Sequence, residues 1–189
     1  MPTSAIEGKT WTLKTLLRLS EHLEFKQILD VGPGRGIYRL LFRQFWPQYH
    51  WTAVEIWEPY RERFGLEQLY DRLLITDIRT YAPTAPSYDL VFLGDVLEHM
   101  QQAEALAVVS ALLRQSKLLV ISIPIVDMPQ AESEGNPYER HVKDNWSHAE
   151  VLKCWGAHLA LGYVEDPIGV YLLSAQSGVV EVIRLLCAT

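Results

Sequence analysis

The sequence predicts an α/β fold: a doubly wound, seven-stranded, mostly parallel sheet with helices on both faces and a C-terminal antiparallel hairpin. Three observations predict it. Short apolar runs at 28–31, 51–56, 73–75, 88–93 and 118–124 alternate with stretches of helical periodicity, the pattern of buried parallel strands joined by crossover helices. A glycine loop, Gly32-Pro33-Gly34-Arg35-Gly36, joins the first run to the helix that follows it. Two final apolar runs, 163–173 and 178–186, are separated only by Ser174-Ala175-Gln176-Ser177, too short a link for a crossover.

Residues 1–8 read as a loose leader. From about Thr10, Leu13, Leu16, Leu17 and Leu23 recur at helical spacing, so residues 1–26 form a helical segment ahead of a core at 27–186. The 189 residues suffice for one domain with a sizeable core, and 1–189 is read as a single domain.

Ile28 to Val31 are nearly continuous apolar residues interrupted by Asp30 and ended by Gly32, which reads as a buried strand. Gly32, Gly34 and Gly36 open backbone conformations closed to residues with a Cβ and let a ligand approach the main chain. Ile37, Leu40, Leu41 and Phe45 then follow at helical spacing. A strand, glycine loop and helix in this order offer backbone N–H groups to a carboxylate or a phosphate. A dinucleotide loop requires Gly-x-Gly-x-x-Gly, whereas the third glycine here is Gly36 and position 37 is Ile. Asp30 would oppose a pyrophosphate and suits a ligand with an ammonium group. Together these residues resemble motif I of the class I S-adenosylmethionine-dependent methyltransferases, Asp-x-Gly-x-Gly-x-Gly. For the loop alone, an ordinary glycine-rich turn is the alternative reading.

Trp51 to Ile56 reads as the second strand, with Glu55 near its end. A carboxylate there can accept both hydrogen bonds of a ribose diol, a feature shared with nicotinamide-dependent enzymes. Ile56 and Trp57 follow and could lie against an adenine face, although ordinary packing explains Trp57 equally well. A helix is expected from Pro59 to about Tyr70, then a third strand at Leu73 to Ile75. The resemblance implies that Asp77 accepts from the adenine amino group while the Ile78 N–H reaches a ring nitrogen; Asp77 as a helix cap is the alternative.

A loop, Thr80 to Ser87, leads into the fourth strand, which breaks at Gly94. A helix follows with Met100, Ala103, Leu106, Val109 and Leu113 on its expected buried face. The string Asp95-Val96-Leu97-Glu98-His99 resembles the strand-four end of small-molecule and quinone-biosynthesis methyltransferases. By that resemblance Gly94 and Asp95 line the methionine end of S-adenosylmethionine, and Glu98 and His99 face the substrate. The other reading of Glu98 and His99 is a charged first helical turn.

Leu118 to Pro124 reads as the fifth strand. The polar stretch Asp127 to Trp146 after it lies where ligand crevices form in open α/β sheets, and its length suits a functional loop. Within it, Asn136-Pro137-Tyr138-Glu139-Arg140-His141 resembles the Asn-Pro-Tyr-Glu-x-His segment of some small-molecule methyltransferases. Ser147, with Glu150 three residues on, opens a helix expected to run to about Leu161 and stop at Gly162. The resemblance covers roughly residues 27–186.

The resemblance implies methyl transfer from S-adenosylmethionine to the oxygen, nitrogen or carbon of a small-molecule acceptor. His141 is then the base or an acceptor-orienting group, with His99 second, because an imidazole titrates near ~6.5. A surface-loop histidine is the other reading of His141. Two rival functions stay open: a noncatalytic S-adenosylmethionine-binding subunit and an NAD-dependent oxidoreductase, the latter disfavoured by the glycine spacing.

Composition is that of a globular protein, 49% apolar and 21% charged, and the net charge of −6 disfavours nucleic acid as a partner. Cys154 and Cys187 make no disulfide framework, and no apolar run reaches the ~18 residues of a membrane span. With no signal-peptide pattern, the cytoplasm is the expected location. No metal-ligand spacing is recognised: Cys154 and His158 could share a helix face but are only two, and Asp95, Asp127 and Asp144 follow no divalent-metal pattern.

Overall fold

A computed structural model describes residues 8–187. Helix α1 (Lys9–Leu19) precedes β1 (Gln27–Val31), α2 (Ile37–Phe42) and β2 (His50–Glu55). Two short helices, α3 (Tyr60–Arg63) and α4 (Leu66–Leu69), lead to β3 (Arg72–Ile75), α5 (Ile78–Tyr81) and β4 (Tyr88–Gly94). Then come α6 (Gln102–Gln115), β5 (Ser116–Pro124), α7 (His148–Trp155), β6 (Leu159–Glu165), β7 (Ile168–Leu173) and α8 (Ser177–Cys187).

The seven strands lie in the order β3-β2-β1-β4-β5-β7-β6. β7 is antiparallel to both its neighbours, and the strands from β3 through β5 are parallel. This is the doubly wound sheet with its C-terminal hairpin. Both faces are covered because strand residues alternate. On β4, Leu90 and Phe92 join the core beneath α1 and α2, while Val91 and Leu93 join the core beneath α6 and α7. The chain order reverses between β1 and β4, and such a switch point opens a crevice at the strands' C-terminal ends. Among the described residues no helix is long and apolar enough to cross a membrane.

Several elements differ from expectation. The hairpin is β6 and β7, turning at Asp166-Pro167, so the run 163–173 is two strands rather than one. The run 178–186 is not a strand. It belongs to α8, which packs on β6 and α1 with Val179 and Ile183 buried. The expected Pro59–Tyr70 helix is interrupted by Gly65, whose φ of 60° is left-handed. Part of the expected loop at 80–87 is α5 and a 3₁₀ turn. On α6 the buried face is Ala105, Val108, Val109 and Leu112 with their neighbours, and Ala103 is exposed. The helix after Ser147 ends at Trp155, and Ser147 caps it by accepting the Glu150 N–H at 3.2 Å. The expected leader lies, except for Gly8, outside the described residues.

Candidate active site

A cavity of about 320 Å³ opens at the switch point. Its floor is the end of β1 and the glycine loop, one side is formed by the ends of β2 and β3, and the other by the end of β4. The loop after β5 forms its outer wall.

The glycine loop takes its shape from left-handed backbone: Gly32, Gly34 and Gly36 have φ of 59°, 52° and 70°. Gly32 and Gly34 line the cavity, whereas Gly36 is buried beneath the loop, its N–H donating to the Pro33 carbonyl at 2.7 Å. A Cβ on Gly32 would meet Val96 Cγ2 at 2.9 Å.

Asp30 does not face the cavity. It is 2% exposed in β1, and its Oδ2 accepts the Tyr70 hydroxyl at 2.6 Å. Burial pushes its pKa up to about 7, against the opposing Tyr70 hydrogen bond and the Lys9 charge, with Glu55 adding to the rise. Asp30 is thus placed behind the glycine loop rather than at its mouth.

Glu55 lines the cavity at the end of β2, and its Oε1 accepts the Trp57 N–H at 2.8 Å. Burial raises its pKa to about 7, opposed by backbone N–H groups of Trp57, Gly34 and Ile56. Ile56 and Ile78 supply apolar wall, but Trp57 lies outside, its ring 6.0 Å from that of Tyr138. Asp77 lines the cavity, yet its carboxylate is engaged locally. It caps α5 by accepting the Arg79 N–H at 2.8 Å and pairs with the Arg79 guanidinium at 2.6 Å.

At the end of β4, Gly94 and Asp95 both line the cavity. Asp95 has φ of 56°, uncommon for a residue with a Cβ, and is held by its N–H on the Ser122 carbonyl at 2.8 Å. Its Oδ1 accepts the Ser122 hydroxyl at 3.2 Å, and the Lys9 ammonium lies 3.9 Å from Oδ2. Glu98 and His99 form a 3₁₀ turn there rather than the first turn of a long helix. Glu98 is 1% exposed, and burial, followed by the nearby Asp95 charge, raises its pKa well above the usual carboxylate range.

The wall after β5 is tied down at many points. The Val142 and Lys143 N–H groups both donate to the Glu98 carbonyl, at 2.8 and 3.0 Å. Tyr60 donates its hydroxyl to Glu139 at 2.9 Å, and Gln130 donates to the Glu139 carbonyl at 2.6 Å. These bonds bring His141 against His99, with ring centroids 5.0 Å apart in an edge arrangement. His99 Nδ1 lies 3.1 Å from the Arg140 carbonyl and His141 Nδ1 lies 2.6 Å from the Met128 carbonyl. A carbonyl only accepts, so each Nδ1 carries a proton and Nε2 is the ring nitrogen left to a ligand. Burial lowers the His99 pKa to about 4, so that ring is neutral at pH 7.

Of the thirteen residues singled out in the sequence, all but Asp30, Gly36 and Trp57 line this cavity. Tyr60, Met128 and Gln130 carried no motif and line it too, as does Glu139 of the segment 136–141. Tyr60 sits in an ordinary helical turn without a local signal. Met128 and Gln130 lie in the part of the polar stretch that only its length marks. The residues fit an amino-acid-bearing nucleoside: a carboxylate beside backbone donors at the end of β2, apolar walls at Ile56 and Ile78, and a main-chain surface at Gly32 and Gly34 free of side chains.

A family model described as a methyltransferase domain matches residues 9–155. None of the curated proteins matches the sequence. Among solved structures, the N-terminal domain of EvdMO1, crystallised with S-adenosylhomocysteine, superposes with a TM-score of 0.67 at 14% identity, covering 92% of this chain and 83% of that one. An S-adenosylmethionine-dependent methyltransferase from Clostridium acetobutylicum gives a TM-score of 0.65 at 13% identity, covering 89% and 92%. The mitomycin 7-O-methyltransferase MmcR gives 0.58 at 16% identity, covering 88% of this chain and 55% of that one. These likenesses concern the fold. With the family match spanning most of its length, the chain belongs to the methyltransferase domain family and is a class I, S-adenosylmethionine-dependent methyltransferase.

Proposed function

We propose that the protein methylates a hydroxyl-bearing small molecule bound between the end of β4 and the loop after β5, with the cofactor at the glycine-loop end of the cavity. The observation that carries this reading is the meeting of His99 and His141 in the wall of the cavity that Gly32, Gly34 and Glu55 also line. The Asp95-to-His99 string, similar to that of quinone-type enzymes, and the likeness to a mitomycin O-methyltransferase support an oxygen acceptor.

S-adenosylmethionine supplies a methyl group already activated on a sulfonium, with a neutral thioether as leaving group. The chain's own residues therefore bind, orient and exclude water. Glu55 takes the ribose hydroxyls, Ile56 and Ile78 flank the base, and Gly32 and Gly34 admit the amino-acid end. Asp30 acts through the loop, fixing β1 from behind by its bond to Tyr70. His141 orients the acceptor or takes its proton. His99, with a pKa near 4, is too weak a base for that and serves to orient.

The test is formation of S-adenosylhomocysteine from S-adenosylmethionine with a panel of phenols, sugars and carboxylates, alongside titration calorimetry with S-adenosylhomocysteine. Turnover with a hydroxyl compound, reduced at least tenfold in His141→Ala with cofactor affinity unchanged, is the expected result. Cofactor binding without turnover on any acceptor would leave a binding subunit instead.

A further inference from the structure

Glu98, His99 and His141 each present a ligand atom, and these three atoms lie within 4.8 Å of one another. We infer that they form a binding site for a single divalent transition-metal ion, and that its open positions hold the acceptor's hydroxyl oxygen. The second part rests on the acceptor reading above; the first does not.

Two independent features of the surroundings point to a cation. The first is the state of the imidazoles. Both donate Nδ1–H to a backbone carbonyl, at Arg140 and at Met128, which leaves Nε2 as the ring nitrogen available to a metal ion. Histidines that bind metals are held in this way by a carbonyl or carboxylate on the other nitrogen. The second is Glu98. Its carboxylate is 1% exposed, and its Oε2 has no hydrogen-bond partner among the described residues. A buried carboxylate oxygen left unpaired is costly, and a bound cation removes that cost.

Both ligand arms are anchored to each other. The Glu98 carbonyl accepts the N–H groups of Val142 and Lys143, directly after His141, so the 3₁₀ turn at 97–99 and the loop share one rigid hinge point. Metal–ligand bonds of about 2.1 Å put neighbouring ligand atoms roughly 3–4 Å apart, so small side-chain rotations close the site. Two imidazoles with one carboxylate favour Mn²⁺, Co²⁺ or Zn²⁺ over Mg²⁺ or Ca²⁺, which prefer oxygen ligands. Three protein ligands leave positions open to the cavity, where Met128 and Gln130 also lie. A hydroxyl bound there is oriented and loses its proton to water more readily, so that with the ion in place His141 acts by holding it and, of the two roles given above, keeps the orienting one. The sequence hides this set because positions 98, 99 and 141 follow no local ligand spacing.

The experiment is calorimetry of chelator-treated protein with Mn²⁺, Co²⁺, Zn²⁺ and Mg²⁺, with S-adenosylhomocysteine titrated separately. One equivalent of a transition ion should bind, with Mg²⁺ weaker by at least tenfold. Glu98→Gln and His141→Ala should each weaken the transition ion at least 100-fold while leaving S-adenosylhomocysteine affinity within about threefold. Absence of stoichiometric binding, or binding indifferent to both variants, overturns the site even when the cofactor binds normally. Loss of cofactor binding in the unaltered protein would instead strike the methyltransferase site. Melting temperatures of both variants check their folding, and His141→Gln, with an amide at the same position, serves if His141→Ala does not fold.

Discussion

Tyr70 and Asp30, 40 positions apart, meet at 2.6 Å beneath the glycine loop, the hydroxyl donating to a carboxylate that is almost wholly buried. This bond joins the segment after α4 to the middle of the sheet and ties the packing of α4 to the shape of the loop above. Tyr70→Phe removes the donor and leaves Asp30 unsatisfied, a loss of about 1–3 kcal/mol. Urea unfolding at pH 8 should show it.

Asp30 also sets a pH dependence. Its folded pKa of about 7 stands above an ordinary 3.8, so the folded chain holds a proton that the unfolded chain releases between those values. Its favourable contribution is fully present below about pH 4 and is lost as pH rises through 7. Asp30→Asn keeps a carbonyl oxygen for Tyr70 and removes the titration. Stability should then fall less between pH 5 and 8, with a gain at pH 8 on the order of 1–3 kcal/mol. Glu55, raised in the same direction, accounts for part of the slope that remains. An unchanged slope in the variant would refute the assignment.

Glu55 makes cofactor binding pH-dependent. In the free protein its carboxyl titrates near 7, and hydrogen bonds from ribose hydroxyls favour the ionised form. Binding should therefore release protons at pH 6, and S-adenosylhomocysteine affinity should rise severalfold from pH 6 to 8 and then level. Calorimetry in buffers of different ionisation enthalpy measures the proton release directly. Glu55→Gln should bind at least tenfold more weakly and lose the pH dependence.

Tyr60 holds the outer wall through Glu139. Tyr60→Phe should cost about 0.5–1.5 kcal/mol and loosen residues 127–146 more than the sheet. Hydrogen exchange of that loop should quicken while β4 and β5 stay protected, and KM for the acceptor should rise more than the affinity for S-adenosylhomocysteine falls.

The glycines separate space from backbone. A Cβ on Gly36 would run into the Leu69 side chain at a left-handed φ of 70°, so Gly36→Ala should lose about 2–4 kcal/mol. Gly135 has φ of 79° with nothing within 4 Å of a Cβ, so Gly135→Ala should lose only about 1 kcal/mol. Thermal melts of the two variants make the comparison.

The parallel strands were legible because Ile28, Val91 and Leu119 belong to runs buried on both faces, which leaves no polar alternation to misread. The C-terminal end departs from the expected strands for two reasons. Val179, Val180, Val182 and Ile183 favour strands by propensity, yet Val179 and Ile183 are one helical turn apart on one buried side, and packing on β6 and α1 overrides propensity. Asp166-Pro167 is a turn signal lying inside the apolar run 163–173, and it divides that run into two strands. At the site, glycine spacing and strand-end acids were local patterns and could be found. The approach of His141 to His99, and the withdrawal of Asp30 behind its loop, depend on bonds between distant segments that no spacing encodes.

The Met128 N–H donates to the Asp144 carbonyl at 2.8 Å, which pinches residues 128–144 into an excursion with a closed neck. Exchanges of single residues inside that neck, away from the ties at Glu139, Val142 and Lys143, alter the outer wall of the cavity without touching the strands beneath it. On the acceptor reading proposed above, that closed segment is where directed evolution toward a new acceptor has a natural place to begin.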